Sequence, residues 1–239
     1  MNIALVPAGG SGTRFGAVKA KQFLELAGIP IIIRTLRHLC DCPDISGVIV
    51  ALPESDRLQF QELLAQFPLP KPCQSVIGGR ERQDSVFAAL EAAPVETRYF
   101  VVHDAVRPFI SAQLVSATLV AAQEDRAAIV GYPVTDTIKL VENGVAVSTP
   151  PRNTLFAVQT PQTFEAGLLR EAHNRANHEG WRATDDAMLV EGLGVPVRIV
   201  PGPLDNLKIT HPRDLELAEF VLKQQERMKN EELRMKNEE

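Results

Sequence analysis

The chain has 239 residues, 45% of them apolar, and a net charge of −5, which is length enough for one large α/β domain with an appendage and a full buried core. Its cations are scattered or sit beside glycines instead of forming a basic face, which excludes a protein that coats nucleic acid and favours a small anionic ligand. Cys40, Cys42 and Cys73 are too few and too irregular for a disulfide framework or a zinc site, and no stretch approaches the ~20 apolar residues of a membrane span, so reduced thiols in a soluble, cytoplasmic protein are expected.

The first element carries most information. The apolar run Ile3-Ala4-Leu5-Val6 reads as a strand and leads into Pro7-Ala8-Gly9-Gly10-Ser11-Gly12-Thr13-Arg14-Phe15-Gly16, with Lys21 close behind. Glycines let backbone N–H groups approach an oxyanion closely, and Arg14 and Lys21 can neutralise charge that develops when a triphosphate is cleaved. The spacing Gly10-x-Gly12-x-x-x-Gly16 does not fit a dinucleotide-binding turn, and Ala17-Val18 after Gly16 does not fit a Walker A loop.

Further along, β-branched runs at Val48 to Leu52, Tyr99 to Val102, Ala127 to Tyr132 and Val197 to Val200 predict strands. They alternate with helices predicted at Ile31 to Cys40, Arg57 to Gln66, Ser85 to Ala92, Ala112 to Glu124, Glu165 to Asn177, Asp186 to Glu191 and Pro212 to about Gln225. That alternation predicts a three-layer, Rossmann-like α/β sandwich around a mainly parallel sheet. One segment, 136–152, breaks the rhythm: alternating Ile138, Leu140, Val145 and Val147 around Asn143-Gly144 predict a protruding β-hairpin arm. Such an arm is marginal alone, so it is expected to pack on a second copy and make a homodimer. The tail 226–239 repeats Arg-Met-Lys-Asn-Glu-Glu with too few apolar positions for a coiled coil and reads as a solvated, fraying helix.

Five clusters could carry chemistry. His103-Asp104-Ala105-Val106-Arg107-Pro108 follows a predicted parallel strand, so Asp104 is placed at a carboxyl end, where it could hold Mg²⁺ against phosphate oxygens, with Arg107 gripping a second phosphate. His103 has no neighbouring metal-ligand pattern and reads as structural. Gly78-Gly79-Arg80-Glu81-Arg82-Gln83-Asp84-Ser85 is a second glycine-to-helix transition, capped by Asp84 or Ser85, that could face a base or ribose. Pro150 to Asn153, Val158 to Gln162 and Asp205 to Thr210 each set polar or cationic residues beside Pro or Gly, as ordinary loops also do.

Taken in this order, with Gln159-Thr160-Pro161-Gln162, Thr184-Asp185-Asp186-Ala187 and Asn206-Leu207-Lys208-Ile209-Thr210, the clusters resemble the 2-C-methyl-D-erythritol 4-phosphate cytidylyltransferases from about Asn2 to Leu222. The resemblance implies a fold of the nucleotide-diphospho-sugar transferase type in a single domain over 1–225, with CTP as co-substrate and Mg²⁺ as the divalent cation. It implies that Ala8, Gly9, Gly10 and Lys21 contact the CTP phosphates, that Gly78, Gly79 and Ser85 lie near cytosine and ribose, and that Asp104 helps place the metal. Arg14 and Lys21 would stabilise the transition state. Arg152 and Lys208 would position the methylerythritol phosphate, Thr137, Arg107, Thr160 and Thr184 would add lesser contacts, and Arg152 would reach the partner subunit's site. The family's opening turn usually reads Pro-Ala-Ala-Gly, so Gly9 departs from it, and the arm is short.

The implied reaction needs no nucleophilic side chain: an acceptor phosphate oxygen attacks the α-phosphorus of CTP and pyrophosphate leaves. A ribitol 5-phosphate cytidylyltransferase is the near rival, and a non-catalytic CTP-binding regulator the rival of another class; retention of Arg14, Lys21 and Lys208 speaks against the second.

Overall fold

The computed structural model of the chain describes residues 1–9 and 20–238. Strands β1 (Asn2–Pro7), β4 (Gly47–Leu52), β5 (Cys73–Ile77), β6 (Tyr99–Val102), β7 (Ala127–Pro133), β10 (Phe156–Glu165) and β11 (Arg198–Pro201) form one seven-stranded sheet in the order β11-β7-β10-β6-β1-β4-β5. Every neighbour pair is parallel except the two made by β10, which runs antiparallel to both β6 and β7. The central strands β1 and β4 are apolar along their length, as expected of strands covered on both faces.

Helices α3 (Arg82–Glu91), α5 (Ala166–Glu179) and α6 (Asp186–Glu191) cover one face through Val86, Leu90, Leu169 and Leu189 packed on Leu5, Phe100 and Phe164. Helices α1 (Ile31–Asp41), α2 (Arg57–Gln66) and α4 (Ala112–Asp125) cover the other through Ile32, Leu36, Phe60 and Leu119 against Val6, Val50 and Val101. Caps set the ends: the Leu114 N–H donates to Ser111 Oγ at the start of α4, and α5 stops at Gly180, whose φ of 73° is left-handed. A third cluster, Leu26, Ile31, Phe109, Ile209 and Ala218, seats α7 (Pro212–Glu238) and the short ladder of β2 (Glu25–Leu26) and β3 (Ile29–Pro30).

The expected strands and helices form, with four differences. The segment Cys73–Ile77 is an edge strand whose polar Gln74 and Ser75 hid it. The Val158 to Gln162 cluster is no loop: it lies within β10 inside the sheet, and Pro161 is tolerated there because the register shifts between Val158 and Gln162. Helix α3 starts at Arg82, with Glu81 as N-cap in a reciprocal capping box with Asp84, so neither Asp84 nor Ser85 is the N-cap. The short β2–β3 ladder was not expected, whereas the tail past Gln225, expected to be a solvated helix, is helical and continues α7 to Glu238, with Arg227 paired to Glu231 one turn on.

The arm is present as β8 (Leu140–Glu142) paired with β9 (Val145–Ser148), closed by Asn143 and Gly144 with φ of 48° and 81°, the geometry a two-residue hairpin demands. Leu140, Val141, Val145 and Val147 on it are all more than half exposed.

Candidate active site

Chain order decides where a ligand can sit. After β1 the chain winds outward through β4 to β5, then returns to place β6 on the other side of β1. The carboxyl ends of β1 and β6 therefore diverge at a topological switch point, and a crevice opens between them. A cavity of about 550 Å³ lies there, walled by Pro7, Ala8 and Gly9 after β1, by Lys21 and Gln22, by Arg80 to Arg82 and Ser85 of the α3 entry, by Asp104 after β6, and by Lys208 and Thr210.

The turn after β1 is pinned before it reaches the cavity. Ala8 N–H donates to the Ala51 carbonyl at 2.8 Å, and the Ala8 carbonyl accepts from Gln22 Nε2 at 2.8 Å. Both backbone groups of Ala8 are thereby committed, which leaves the Gly9 amide as the next donor for an anion. Gln22 is held in turn by the short 3₁₀ turn Lys21–Phe23, whose Phe23 is buried in the core. The same turn sets Lys21 on the cavity wall.

Opposite stands Asp104, 6% exposed, with three cations on one carboxylate: Lys208 Nζ at 2.8 Å and Arg107 Nε at 3.5 Å from Oδ2, and Arg82 Nε at 3.3 Å from Oδ1. Burial alone would raise the Asp104 pKa, but Arg82, Lys208 and Arg107 outweigh it and hold the carboxyl well below the usual carboxylate range. Burial lowers the Arg107 pKa, with Asp104 opposing. Arg107 Nη1 also donates to the Asn206 carbonyl at 2.7 Å, tying the loop after β6 to the Asn206-to-Thr210 segment that carries Lys208.

The irregular part of β10 completes this wall. Between Val158 and Gln162 the strand takes four steps while β7 takes two, from Gly131 to Ile129, and the excess carries Thr160 towards the carboxyl end of β6. Thr160 Oγ1 accepts the Asp104 N–H at 3.1 Å and lies 3.0 Å from His103 Nδ1. His103 Nε2 faces the Arg107 carbonyl at 3.1 Å, and a carbonyl only accepts, so the proton sits on Nε2 and Nδ1 accepts from the Thr160 hydroxyl. Burial pushes the His103 pKa down to about 4, so the imidazole stays neutral and serves as a brace. Beside it is a smaller cavity of about 240 Å³, lined by Arg107, Thr160, Thr184 and Asp185 among others, and by Arg82, Asp104 and Lys208, which also line the larger one. Two chambers thus share one charged wall.

The glycines of the α3 entry act by close approach. A Cβ on Gly78 would stand 2.9 Å from Ser85 Oγ, and one on Gly79 would collide with the Asp84 Cβ, so this loop folds onto α3 only without side chains there. Gly78 and Gly79 sit behind the wall and do not line it, while Ser85, whose hydroxyl donates to the Glu81 carbonyl, does.

The structure brings Ala8, Gly9, Lys21, Ser85, Asp104 and Lys208 to the larger cavity and Arg107, Thr160 and Thr184 to the smaller. Arg14 and Gly10 lie outside the described residues. Arg152 and Thr137 line neither cavity: Thr137 is exposed, and Arg152, in the 3₁₀ turn Arg152–Thr154, donates from Nη1 to the Thr135 carbonyl at 2.7 Å. Sequence reasoning missed Arg82, Gln22 and Thr210. Arg82 was readable only as a cation at a helix start, because its partners Asp104 and Asp186 lie 22 and 104 positions away.

A divalent cation can be tested against these donors. Among the described residues no three His, Cys, Asp or Glu side chains group to hold a metal, and Asp104 is a single carboxylate already shared by three cations. The donor chemistry suits Mg²⁺, which commonly takes one or two carboxylates and fills its remaining positions with substrate phosphate oxygens and water. Asp104 is a carboxylate that such an ion could share with substrate phosphates, at a place where Arg82, Arg107 and Lys208 now sit.

The family model described as IspD, 2-C-methyl-D-erythritol 4-phosphate cytidylyltransferase, matches residues 2–224. A curated protein of that name from Symbiobacterium thermophilum is 45% identical over 224 residues, 93% of each chain, and one from Bacillus thuringiensis is 43% identical over 93% of this chain and 98% of its own. The crystal structure of a 2-C-methyl-D-erythritol 4-phosphate cytidylyltransferase from Thermus thermophilus superposes with a TM-score of 0.74 at 39% identity, covering 91% of this chain and 97% of that one. A 4-diphosphocytidyl-2C-methyl-D-erythritol synthase from Anaerococcus prevotii superposes with a TM-score of 0.83 at 27% identity over 93% and 98%. On both the family match and these relatives, the chain belongs to the 2-C-methyl-D-erythritol 4-phosphate cytidylyltransferase family.

Proposed function

We propose that the protein transfers the cytidylyl group of CTP to 2-C-methyl-D-erythritol 4-phosphate, giving 4-diphosphocytidyl-2-C-methyl-D-erythritol and pyrophosphate. The observation that carries this reading, beside family membership, is the pair of chambers divided by Arg82, Asp104 and Lys208. The larger takes the nucleotide and the smaller the acceptor, so that two anions which repel in water meet across a wall of positive charge.

In the reaction an acceptor phosphate oxygen forms a bond to the α-phosphorus while the bond to the bridging oxygen of the β-phosphate breaks, and that oxygen keeps the electron pair as pyrophosphate leaves. Catalysis comes from positioning and from charge neutralisation already in place before the reaction. Lys21 and Arg14 meet the nucleotide phosphates. Lys208, oriented by Asp104, faces both chambers and draws the acceptor phosphate in, with Arg107, Thr160 and Thr184 as further contacts. When bound at Asp104, Mg²⁺ supplies charge neutralisation on the triphosphate.

Two features support a homodimer joined through the arm. Exposed Leu140, Val141, Val145 and Val147 need cover that their own sheet does not give, and Arg152 at the base of the arm has no place in either chamber of its own subunit, which fits a role in the partner's. Residues 1–225 are read as a single domain and 226–239 as a solvated helical extension. A cytoplasmic location accords with free thiols whose burial, together with nearby Cys40, pushes the Cys73 pKa up to about 12, and with the lack, among the described residues, of a helix able to cross a membrane.

Pyrophosphate release should be measured with CTP, Mg²⁺ and, separately, methylerythritol phosphate, ribitol 5-phosphate and no acceptor. Release dependent on methylerythritol phosphate is expected. Preference for ribitol 5-phosphate, or CTP binding without turnover, would overturn the assignment.

A further inference from the structure

Arg82, the first residue of α3, reaches two carboxylates at once: Nε lies 3.3 Å from Asp104 Oδ1, and Nη1 lies 2.6 Å from Asp186 Oδ2. Asp186 opens α6, is 1% exposed and touches neither chamber. Its other oxygen accepts from Nε2 of fully buried His173 at 3.0 Å, and its N–H donates to Gln162 Oε1 at 3.2 Å. A continuous chain of contacts therefore runs from the α5 and α6 layer, through Arg82, to the carboxylate at the centre of the shared wall.

A buried carboxylate is expensive to keep ionised without a strong partner, so Asp186 needs a reason to be where it is. Burial works to raise its pKa, while Arg82 and His173 more than compensate and keep it below the usual carboxylate range. Arg82 is the cation that opposes that burial, and it is also a residue that lines both chambers. A lysine could not serve, since its single ammonium lacks the planar fork needed to span two carboxylates at these distances.

The geometry points to Asp186, seated by His173, as a positioning residue that holds Arg82, and through it Asp104 and Lys208, in the arrangement the transfer step requires. This rests on the transferase reading. Because the wall must be set before the two phosphates meet, loosening it acts on kcat more than on CTP binding.

The test is a double-mutant cycle on the full chain with Arg82→Gln, Asp186→Asn and the double variant, read as kcat and KM for CTP alongside thermal melting. Each single change should lower kcat about tenfold or more with the CTP KM moved less than about threefold, and the double variant should fall no further than Arg82→Gln alone, as for two members of one unit. Arg82→Lys should behave like Arg82→Gln. If Asp186→Asn does not fold, Asp186→Glu takes its place in the cycle. Falls that multiply independently, full activity in Arg82→Gln, or full rescue by lysine would overturn the inference while leaving an active wild type. An inactive wild type would sink the transferase reading and this inference together.

Discussion

Two regions present their cations in opposite ways. At the switch point Lys208 is held 2.8 Å from a buried carboxylate that two arginines also contact, the Asp104 N–H is fixed on the Thr160 hydroxyl of β10, and the Asn206 carbonyl holds Arg107. On the arm Arg152 is exposed and, among the described residues, donates to the Thr135 carbonyl alone, on a hairpin whose apolar side chains face outward. The first region has its cations paired and buried within the chain; the second leaves apolar surface uncovered, which the proposed dimer would bury. Fixed charge belongs where the reaction needs no reorganisation, and exposed apolar surface belongs where a subunit docks.

The largest effect should come from the fixed region. Lys21→Ala should lower kcat on the order of a hundredfold or more, the size seen when one preorganised donor is removed. Near-normal turnover would remove Lys21 from the phosphate site. Arg152→Ala should lower activity about tenfold or more, and mixing it with a Lys208→Ala protein after subunit exchange should restore part of the activity; failure of every mixture to recover would place Arg152 outside the partner's site. Val145→Asp with Val147→Asp should shift the protein towards monomer in sedimentation, and the core should melt within a few degrees of wild type, because both side chains are more than half exposed on the arm.

The acid response sharpens the same contrast. His103 has a folded pKa near 4 against 6.5 for the free residue, so between these values the unfolded chain binds a proton that the folded chain refuses. Stability is therefore full above about pH 6.5 and falls as the pH drops through this window, by an amount on the order of 3 kcal/mol from this one group. Denaturant midpoints at pH 7 and pH 4.5 should show the fall, and His103→Gln should flatten it. The smallest effect is expected of Gly9→Ala, which restores the family's usual alanine: its Cβ would meet Ser85 Oγ at 3.3 Å, a tight contact that a small hydroxyl rotation relieves, so kcat should change less than about threefold. A large loss there would mean that the turn after β1 has no such slack.

What the sequence conveyed divides along physical lines. Strands β1, β4, β6 and β7 were legible because burial on both faces demands unbroken apolar runs, and the hairpin because Asn143-Gly144 suits left-handed backbone. Strand β10 was not, because Gln159, Thr160 and Gln162 are polar for the sake of the site: each is buried, and each is satisfied by partners far along the chain. Lys21, Asp104 and Lys208 could be picked out as charge beside glycine or a strand end. Arg82 could not, since nothing local distinguishes a helix-start arginine on the surface from one that joins two carboxylates drawn from α6 and the end of β6.

The central claim is that two anions meet across the wall formed by Arg82, Asp104 and Lys208, and a crystal structure with CTP and the acceptor bound tests it most directly. The account expects the triphosphate in the larger chamber against Gly9 and Lys21, the acceptor phosphate in the smaller one against Arg107 and Thr160, and Lys208 within hydrogen-bond reach of at least one of them. Ligands bound on separate surfaces, or either bound without touching this wall, would contradict it.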